Sequence, residues 1–338
     1  MKVVVTGGLG FIGSHTVVEL QNEGFEVVVI DNLSNADEKV LDGIFNITGK
    51  KTFFENLDLR DKAAVQNFFN KHNDIDGVIH FAASKAVGES VENPLLYYEN
   101  NINTLIYILQ ELHKLPTANF IFSSSCTVYG QAEKTPITED APIQSALSPY
   151  GNTKQIGEEI IIDAAKVSNL NAVLLRYFNP IGAHPSVEIG ELPLGVPQNL
   201  VPFITQTAVG LREKLSVYGN DYATQDGTAV RDYIHVVDVA KAHVIALQRL
   251  LDKKNLEKVE VFNLGTGTGS SVLEVIIAFE KVSGQKLNYQ IVGRRDGDIT
   301  AAFANTDKAN EVLGWKATLG LEDCLASAWK WEQKIRKK

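Results

Sequence analysis

Residues 6–13 read Thr-Gly-Gly-Leu-Gly-Phe-Ile-Gly, directly after the apolar run Lys2 to Thr6 and at the head of an amphipathic stretch. Gly8, Gly10 and Gly13 fit the spacing GxGxxG, and Gly7, Gly10 and Gly13 fit GxxGxxG. Lacking Cβ atoms, such a loop can turn sharply, admit a pyrophosphate against its backbone and let the following helix pack close to the strand. The helix then presents its N-terminal amides to the anion. Strand, glycine loop and helix together commit the opening of the chain to a parallel sheet with crossover helices.

The pattern repeats. Short runs rich in β-branched and aromatic residues, Glu26 to Asp31, Gly77 to Ala83, Asn119 to Ser125 and Ala172 to Asn179, read as buried parallel strands. Between strands lie stretches of helical period: Ser14 to Asn22, Lys62 to His72, Pro94 to Leu112 and Tyr150 to Val167. The expected class is α/β, a Rossmann-type doubly wound parallel sheet with a smaller C-terminal α/β substrate lobe. With 338 residues the chain exceeds what one core usually serves, so two lobes with a ligand crevice between them are expected. Residues 1–179 would form the dinucleotide-binding lobe. Pro180, Pro185, Pro193 and Pro197 mark the chain leaving it, and 180–232 with 266–338 would form the second lobe. Residues 233–265, with DYIHV, VDVAKAHVIALQRL and VEVFNL in turn, would return to the first.

The strand after the glycine loop ends VVVI-Asp31, about 20 residues beyond the glycines, where a carboxylate accepts hydrogen bonds from the adenosine ribose. The same charge repels a 2′-phosphate, so the expected cofactor is NAD rather than NADP. A net charge of −9 argues against nucleic acid and anionic membranes as partners, and no apolar run approaches the roughly 20 residues that span a bilayer. The basic end, Lys334, Arg336, Lys337 and Lys338, reads as a solvated helix terminus. Cys126 and Cys324 lie far apart and outside any CxxC or Cys/His cluster, so neither a disulfide framework nor a metal site is expected. The chain opens without a secretory leader pattern, and a soluble cytoplasmic protein is expected.

A second constellation carries chemistry. In Ser148-Pro149-Tyr150-Gly151-Asn152-Thr153-Lys154, Ser148 suits a helix N-cap and Pro149 the first helical position. Tyr150 and Lys154 then share a face as i, i+4 neighbours. A phenol titrates near pH 10, too high for a base at neutrality, and a nearby ammonium together with an oxidised nicotinamide ring would bring it down by about two or three units. Ser125, at the end of the run NFIFSSS, adds a hydroxyl at the carboxyl edge of the sheet. Taken alone, YxxxK also describes a surface helix pair and SSS a polar loop; their place in a βα series favours a catalytic set.

With these residues in hand, the chain resembles the extended short-chain dehydrogenase/reductase family, and within it the nucleotide-sugar epimerases. The resemblance runs nearly full length through VTGGLGFIGSHT, DNLSN, VIHFAASKAVGES, FIFSSSCTVYG, SPYGNTK, LLRYFNPIGAHPS, YGNDYATQDGTAVRDYIHV and RRDGD. It implies an NAD site made of Gly7, Gly10, Phe11, Ile12, Gly13, Asp31, Asn32, Asn35, Asp58, Leu59, Phe81, Ala82, Ala83, Lys85, Asn100 and Phe178, joined by Ser125, Tyr150 and Lys154. It also implies a UDP-sugar site of Tyr177, Asn179, Asn199, Leu200, Tyr218, Arg231, Arg295 and Asp298, shared with Lys85, Ser125 and Tyr150. Two arginines suit a diphosphate by charge and fork geometry; without the resemblance Arg231 reads as an ion-pair partner of Asp232.

The implied reaction is reversible C4 epimerisation of UDP-glucose and UDP-galactose through a 4-keto sugar, with Tyr150 as base, Ser125 polarising the sugar oxygen and Lys154 holding the nicotinamide ribose. A homodimer is implied as well. Ala302 falls where some relatives carry an aromatic residue, which would leave room for the N-acetyl group of UDP-GlcNAc and UDP-GalNAc. The competing readings are a nucleotide-sugar 4,6-dehydratase, a decarboxylase and a non-catalytic NAD-binding sensor. Against the first, related dehydratases carry Asp-Glu where this chain has Cys126 and Thr127.

Overall fold

The computed structural model describes residues 1–295 and 298–337; Asp296 and Gly297 of the RRDGD segment, and Lys338 of the basic end, lie outside the described residues. From the N-terminus run β1 (Lys2–Thr6), α1 (Phe11–Asn22), β2 (Glu26–Asp31), α2 (Val40–Thr48), β3 (Phe53–Asn56), α3 (Lys62–Lys71) and β4 (Gly77–His80). Then come α4 (Val87–Glu92), α5 (Pro94–Leu112), β5 (Ala118–Ser125), α6 (Pro149–Lys166) and β6 (Leu170–Tyr177), with a single 3₁₀ turn, Cys126–Tyr129, attached to the end of β5. The later elements are β7 (Asn179–Ile181), α7 (Leu200–Ala208), β8 (Leu215–Tyr218), β9 (Val230–Arg231), β10 (Tyr233–His235), α8 (Val236–Leu251) and β11 (Val259–Leu264). The chain closes with β12 (Ser270–Ser271), α9 (Val272–Ser283), β13 (Tyr289–Val292), β14 (Ala301–Ala302) and α10 (Leu321–Arg336).

Seven strands form one sheet in the order β3-β2-β1-β4-β5-β6-β11, parallel throughout. Winding proceeds from β1 outward in both directions, so a crevice opens at the carboxyl ends of β1 and β4, where ligands of doubly wound sheets bind. The strands are apolar on both faces because both are covered. Val3, Val5 and Ile121 pack with residues of α1 and α8, whereas Val4, Phe120 and Phe122 pack with residues of α5 and α6. Each such fully buried Val, Leu or Phe contributes about 1.5–3 kcal/mol. Neither face is left to water.

The remaining strands are short. β7 pairs with β10, β9 lies between β12 and β14, and β8 pairs with β13. A separate core of Val201, Ile204, Val217, Val275, Phe279, Leu325 and Trp329 lies among α7, α9 and α10. No helix among the described residues is long and apolar enough to cross a membrane.

Several boundaries differ from the sequence reading. Helix α1 starts at Phe11 rather than Ser14, because Gly10 takes an extended backbone as its N-cap. Strand β4 stops at His80, short of Ala83: after Phe81 N–H meets Thr6 O, the chain bends over the glycine loop. Asn179 opens β7 instead of closing β6, its N–H turning to Asp232 O. Helix α2 and strand β3 had no expectation attached; β3 is an edge strand with Phe53 exposed, so its pattern lacks the continuous apolar run of its neighbours.

Candidate active site

Gly7 has a left-handed φ of +65°, and a Cβ there would stand 2.8 Å from Ala82 N. At Gly13 a Cβ would lie 2.2 Å from Gly7 O, so only glycine lets α1 begin against the loop. The first-turn N–H groups of α1, unable to bond within the helix, face this cradle, and Gly10 supplies no side-chain cap. At the end of β2, Asp31 is buried, accepting from Leu9 N–H at 3.2 Å and Leu33 N–H at 3.0 Å. Burial raises its carboxyl above the usual range while those amides pull it back. A carboxylate offers about four acceptor positions, so two remain for ribose hydroxyls. Cradle, amides and carboxylate fit a dinucleotide.

Around them stand the other residues expected at the cofactor. Phe11 and Ile12 form the first turn of α1, and Asn32, Asn35, Asp58 and Leu59 follow β2 and β3. Asp58 is chelated by Arg60, whose hydrogen bonds hold the carboxyl below its ordinary value. Phe81, Ala82 and Ala83 leave β4 beside the glycine loop, with Phe81 4.6 Å from the His243 ring. Asn100 donates to Ser84 Oγ at 2.8 Å. Buried Phe178 follows β6.

The Ser125, Tyr150 and Lys154 side chains converge at the carboxyl ends of β5 and β6. Ser148 caps α6 by accepting from Gly151 N–H at 3.1 Å, with Pro149 in the first turn. That start places Tyr150 and Lys154 on the buried side of the helix. Lys154 Nζ donates to Ser123 O at 2.7 Å and lies 4.8 Å from the Phe122 ring centre and 5.9 Å from that of Tyr150. Ser125 Oγ accepts from Thr127 N–H at 3.2 Å, and Tyr177 shares a 2.6 Å hydrogen bond with Ser123 Oγ.

In the chain without a bound dinucleotide, burial sets the direction for both residues. In the chain itself burial drives the Tyr150 phenol upward, Tyr177 adds to this, and the Ser125 hydroxyl acts against it. Burial also lowers Lys154 to about 8, opposed by Glu158. Helical spacing does make the two residues neighbours, but the Ser123 carbonyl draws the ammonium toward the strand. Both shifts express one cause, a dry pocket that disfavours isolated charge and favours a phenolate–ammonium pair over either ion alone.

On the facing wall are the residues expected at the nucleotide. Arg231 donates to Val230 O and Ile299 O, both at 2.9 Å, and lies 3.7 Å from Asp298. Arg295 pairs with Asp298 at 2.9 Å and stacks 4.7 Å from the Tyr218 ring. The alternative reading of Arg231 with Asp232 does not hold: Asp232 is buried and satisfied by Thr266, Gly267 and Ala304. Asn179 begins β7, while Asn199 and Leu200 start α7. Asn199 donates to Glu191 at 3.0 Å, and Lys85 comes within 3.9 Å of the same carboxylate. Ala302 is buried with Val128, Tyr129, Ile137 and Phe178, and pairs with Arg231 across β14 and β9.

Sequence reasoning overlooked Glu191 and the buried set Ser124, Glu158 and Arg176. Glu158 was visible as the next turn along the Tyr150/Lys154 face. Nothing in the sequence, however, said that its partner would come from β6.

The sequence profile of the GDP-mannose 4,6-dehydratase family matches residues 4–328. UDP-glucose 4-epimerase of Bacillus subtilis is 52% identical over 333 residues, covering 98% of this chain and 97% of the relative. Among solved structures, UDP-glucose 4-epimerase of Stenotrophomonas maltophila, with bound NAD and formylated UDP-arabinopyranose, superposes with a TM-score of 0.95 at 47% identity, covering 100% of this chain and 99% of that one. The Bifidobacterium longum UDP-glucose 4-epimerase, in complex with NAD+ and UDP, gives 0.93 at 47% identity, over 99% and 98% of the two chains. With about half its residues identical along nearly their whole length, and a doubly wound sheet with a dinucleotide cradle beside a Ser/Tyr/Lys set, the chain belongs to the UDP-glucose 4-epimerase family.

Proposed function

We propose that this chain interconverts UDP-glucose and UDP-galactose by epimerisation at C4, with NAD held at the glycine loop. The observation that carries the reading is the burial together of Ser125, Tyr150 and Lys154, with the Tyr150 phenol against the Ser125 hydroxyl, two strands along the sheet from the cradle of Gly7, Gly10 and Gly13. Bound there, NAD would supply reversible hydride acceptance at the sugar carbon. Asp31 with Asn32, Asn35, Asp58 and Leu59 would hold its adenosine half, and Phe81 to Ala83, Lys85, Asn100 and Phe178 would hold its nicotinamide half.

Tyr150 Oη takes the proton of the C4 hydroxyl as the carbon is oxidised, and gives it back when the carbon is reduced on its other face. Ser125 Oγ hydrogen-bonds the same sugar oxygen. Lys154 stays protonated near neutrality, since burial leaves it at about 8, and its charge stabilises the phenolate. Arg231 and Arg295 hold the diphosphate while Asn179, Asn199, Leu200, Tyr218 and Asp298 hold the nucleoside, so the 4-keto sugar can turn over within the crevice beside Tyr177. Proton NMR of the products formed from UDP-galactose tests this. UDP-glucose at equilibrium with substrate supports the proposal; a dehydrated or decarboxylated sugar overturns it. Cys126 and Thr127 disfavour dehydration, since burial pushes the Cys126 thiol to about 12 and a threonine has no acid to offer.

The small Ala302 opposite Arg231 supports a wider sugar range that includes UDP-GlcNAc and UDP-GalNAc. Wild-type turnover of both is expected, and Ala302→Tyr should lower it at least tenfold more than turnover of the plain hexoses. Equal losses on both substrate types would remove Ala302 from the specificity account. Exposed Val91, Leu95 and Leu96 on α4 and α5 suit a homodimer, checked by sedimentation velocity, and the two free cysteines suit a reducing cytoplasm.

A further inference from the structure

Period-2 alternation along β5 separates the three serines at its end. Ser123 and Ser125 fall on one face, with Ser123 bonded to Tyr177, whereas Ser124 faces α6 and donates to Glu158 Oε1 at 2.5 Å. Glu158 lies one helical turn beyond Lys154 and two beyond Tyr150. Its carboxylate receives a two-pronged grip from Arg176 of β6, Nε to Oε1 at 2.9 Å and a terminal nitrogen to Oε2 at 2.6 Å. The other terminal nitrogen of Arg176 donates to Tyr129 Oη at 3.0 Å, and Tyr129 Oη in turn donates to Asn263 Oδ1 of β11 at 2.6 Å. All of these side chains are buried: Glu158 is 5% exposed, Arg176 6%, and Ser124, Tyr129 and Asn263 not at all.

A buried ion pair is a poor device for stability alone, because an apolar pair of the same volume often does as well or better without the desolvation of two charges. Its directional bonds, however, set register. We propose that Glu158, clamped by Arg176 and Ser124, is the positioning residue that fixes α6 against β5, so that Lys154 and Tyr150 meet Ser125 in the reacting geometry. Ser125 sits between two anchored points, Ser124 on its N-terminal side and the Tyr129-ended 3₁₀ turn on the other. Lys154 is placed by the same helix turn, and the Glu158 carboxylate sustains its charge against burial. Neither Glu158 nor Arg176 reaches the sugar; they act through the three residues that do.

The inference rests on the roles given above to Tyr150, Lys154 and Ser125, which wild-type turnover of UDP-galactose and its loss in Tyr150→Phe establish separately. The test replaces the whole pair by apolar residues in E158L/R176M, which removes the register bonds without leaving a lone buried charge. The expected result is a folded protein with wild-type melting temperature or higher, unchanged NAD content and unchanged UDP affinity, whose kcat falls 10- to 100-fold while KM for UDP-galactose moves less than threefold. A folded double variant with kcat within threefold of wild type overturns the proposal, because the pair would then be structural only. Should the double variant not fold, E158Q/R176M decides, since it strands no buried arginine. It keeps the shape of Glu158 and the hydrogen bond from Ser124 but discards the two-pronged grip, and kcat should fall at least tenfold at constant KM; a kcat within threefold of wild type again overturns the inference.

Discussion

The two walls of the crevice are built differently. Ser125 ends an eight-residue strand and Tyr150 and Lys154 lie in the first turns of an 18-residue helix, all nine-tenths or more buried, and their bonds run inward to Ser123 and Thr127. Tyr218, Arg231, Arg295 and Asp298 stand on strands of two to four residues or just beyond them, half-buried or exposed, and satisfy one another. The reacting wall is held in place before substrate arrives, as electrostatic preorganisation requires. On the proposed reading, the anchoring wall instead keeps Arg295 on the Asp298 carboxylate, with Arg231 3.7 Å from it, where a diphosphate would take over that carboxylate's place. One wall must place a proton to within a fraction of an ångström; the other need only hold a flexible tether while the sugar turns.

That contrast breaks first at Tyr150. Tyr150→Phe should cut kcat for UDP-galactose by about 10²- to 10⁴-fold, the span of general acid–base catalysis, with UDP affinity unchanged. Activity within tenfold of wild type would show that the buried wall does not carry the proton. On the other wall, Arg231→Ala should raise KM by about 10- to 100-fold, as the loss of a charged hydrogen bond worth roughly 1.5–3 kcal/mol requires, while kcat changes little. Arg295, about half exposed, should matter less. A fall in kcat as large as that of Tyr150→Phe would erase the distinction between the walls.

Taken residue by residue and per pH unit, the smallest expected effect is on stability against pH. Burial lowers His15 and His80 to about 3 and His235 and His243 to about 4, all on the sheet side or its border. The unfolded chain takes up these protons near pH 6.5 and the folded chain only near 3 to 4, so protonation pulls toward unfolding as pH falls through that window. Melting temperature should therefore drop between pH 6.5 and 4.5. Each histidine contributes at most about 1.4 kcal/mol per pH unit, so His80→Gln should flatten the slope by no more than that. A melting temperature independent of pH over the interval would contradict neutral burial of these rings.

Much of this was legible in residue order. The strands Lys2 to Thr6 and Glu26 to Asp31 and the helix from Pro94 to Leu112 have the observed bounds, because continuous apolar runs and helical periodicity are local properties. The edge strand Phe53–Asn56 escaped, since a half-exposed edge lacks that signal. The glycine cradle was legible too, as Gly7 and Gly13 occupy backbone positions where a Cβ finds no room. The depth of burial around Tyr150 was not, because spacing along a helix reports neighbours and not how dry their surroundings are.

The sequence by itself determined the parallel sheet, the dinucleotide loop and the candidate Ser/Tyr/Lys set, through patterns whose meaning lies within some 30 consecutive residues. Only the tertiary structure decided that Glu158 finds Arg176 and Ser124, that Asp298 serves both arginines, and that Asp232 holds backbone amides instead of Arg231. Each of those pairings joins elements that β-strand order brings together across sequence, and strand order is a consequence of packing the whole sheet rather than of any local stretch.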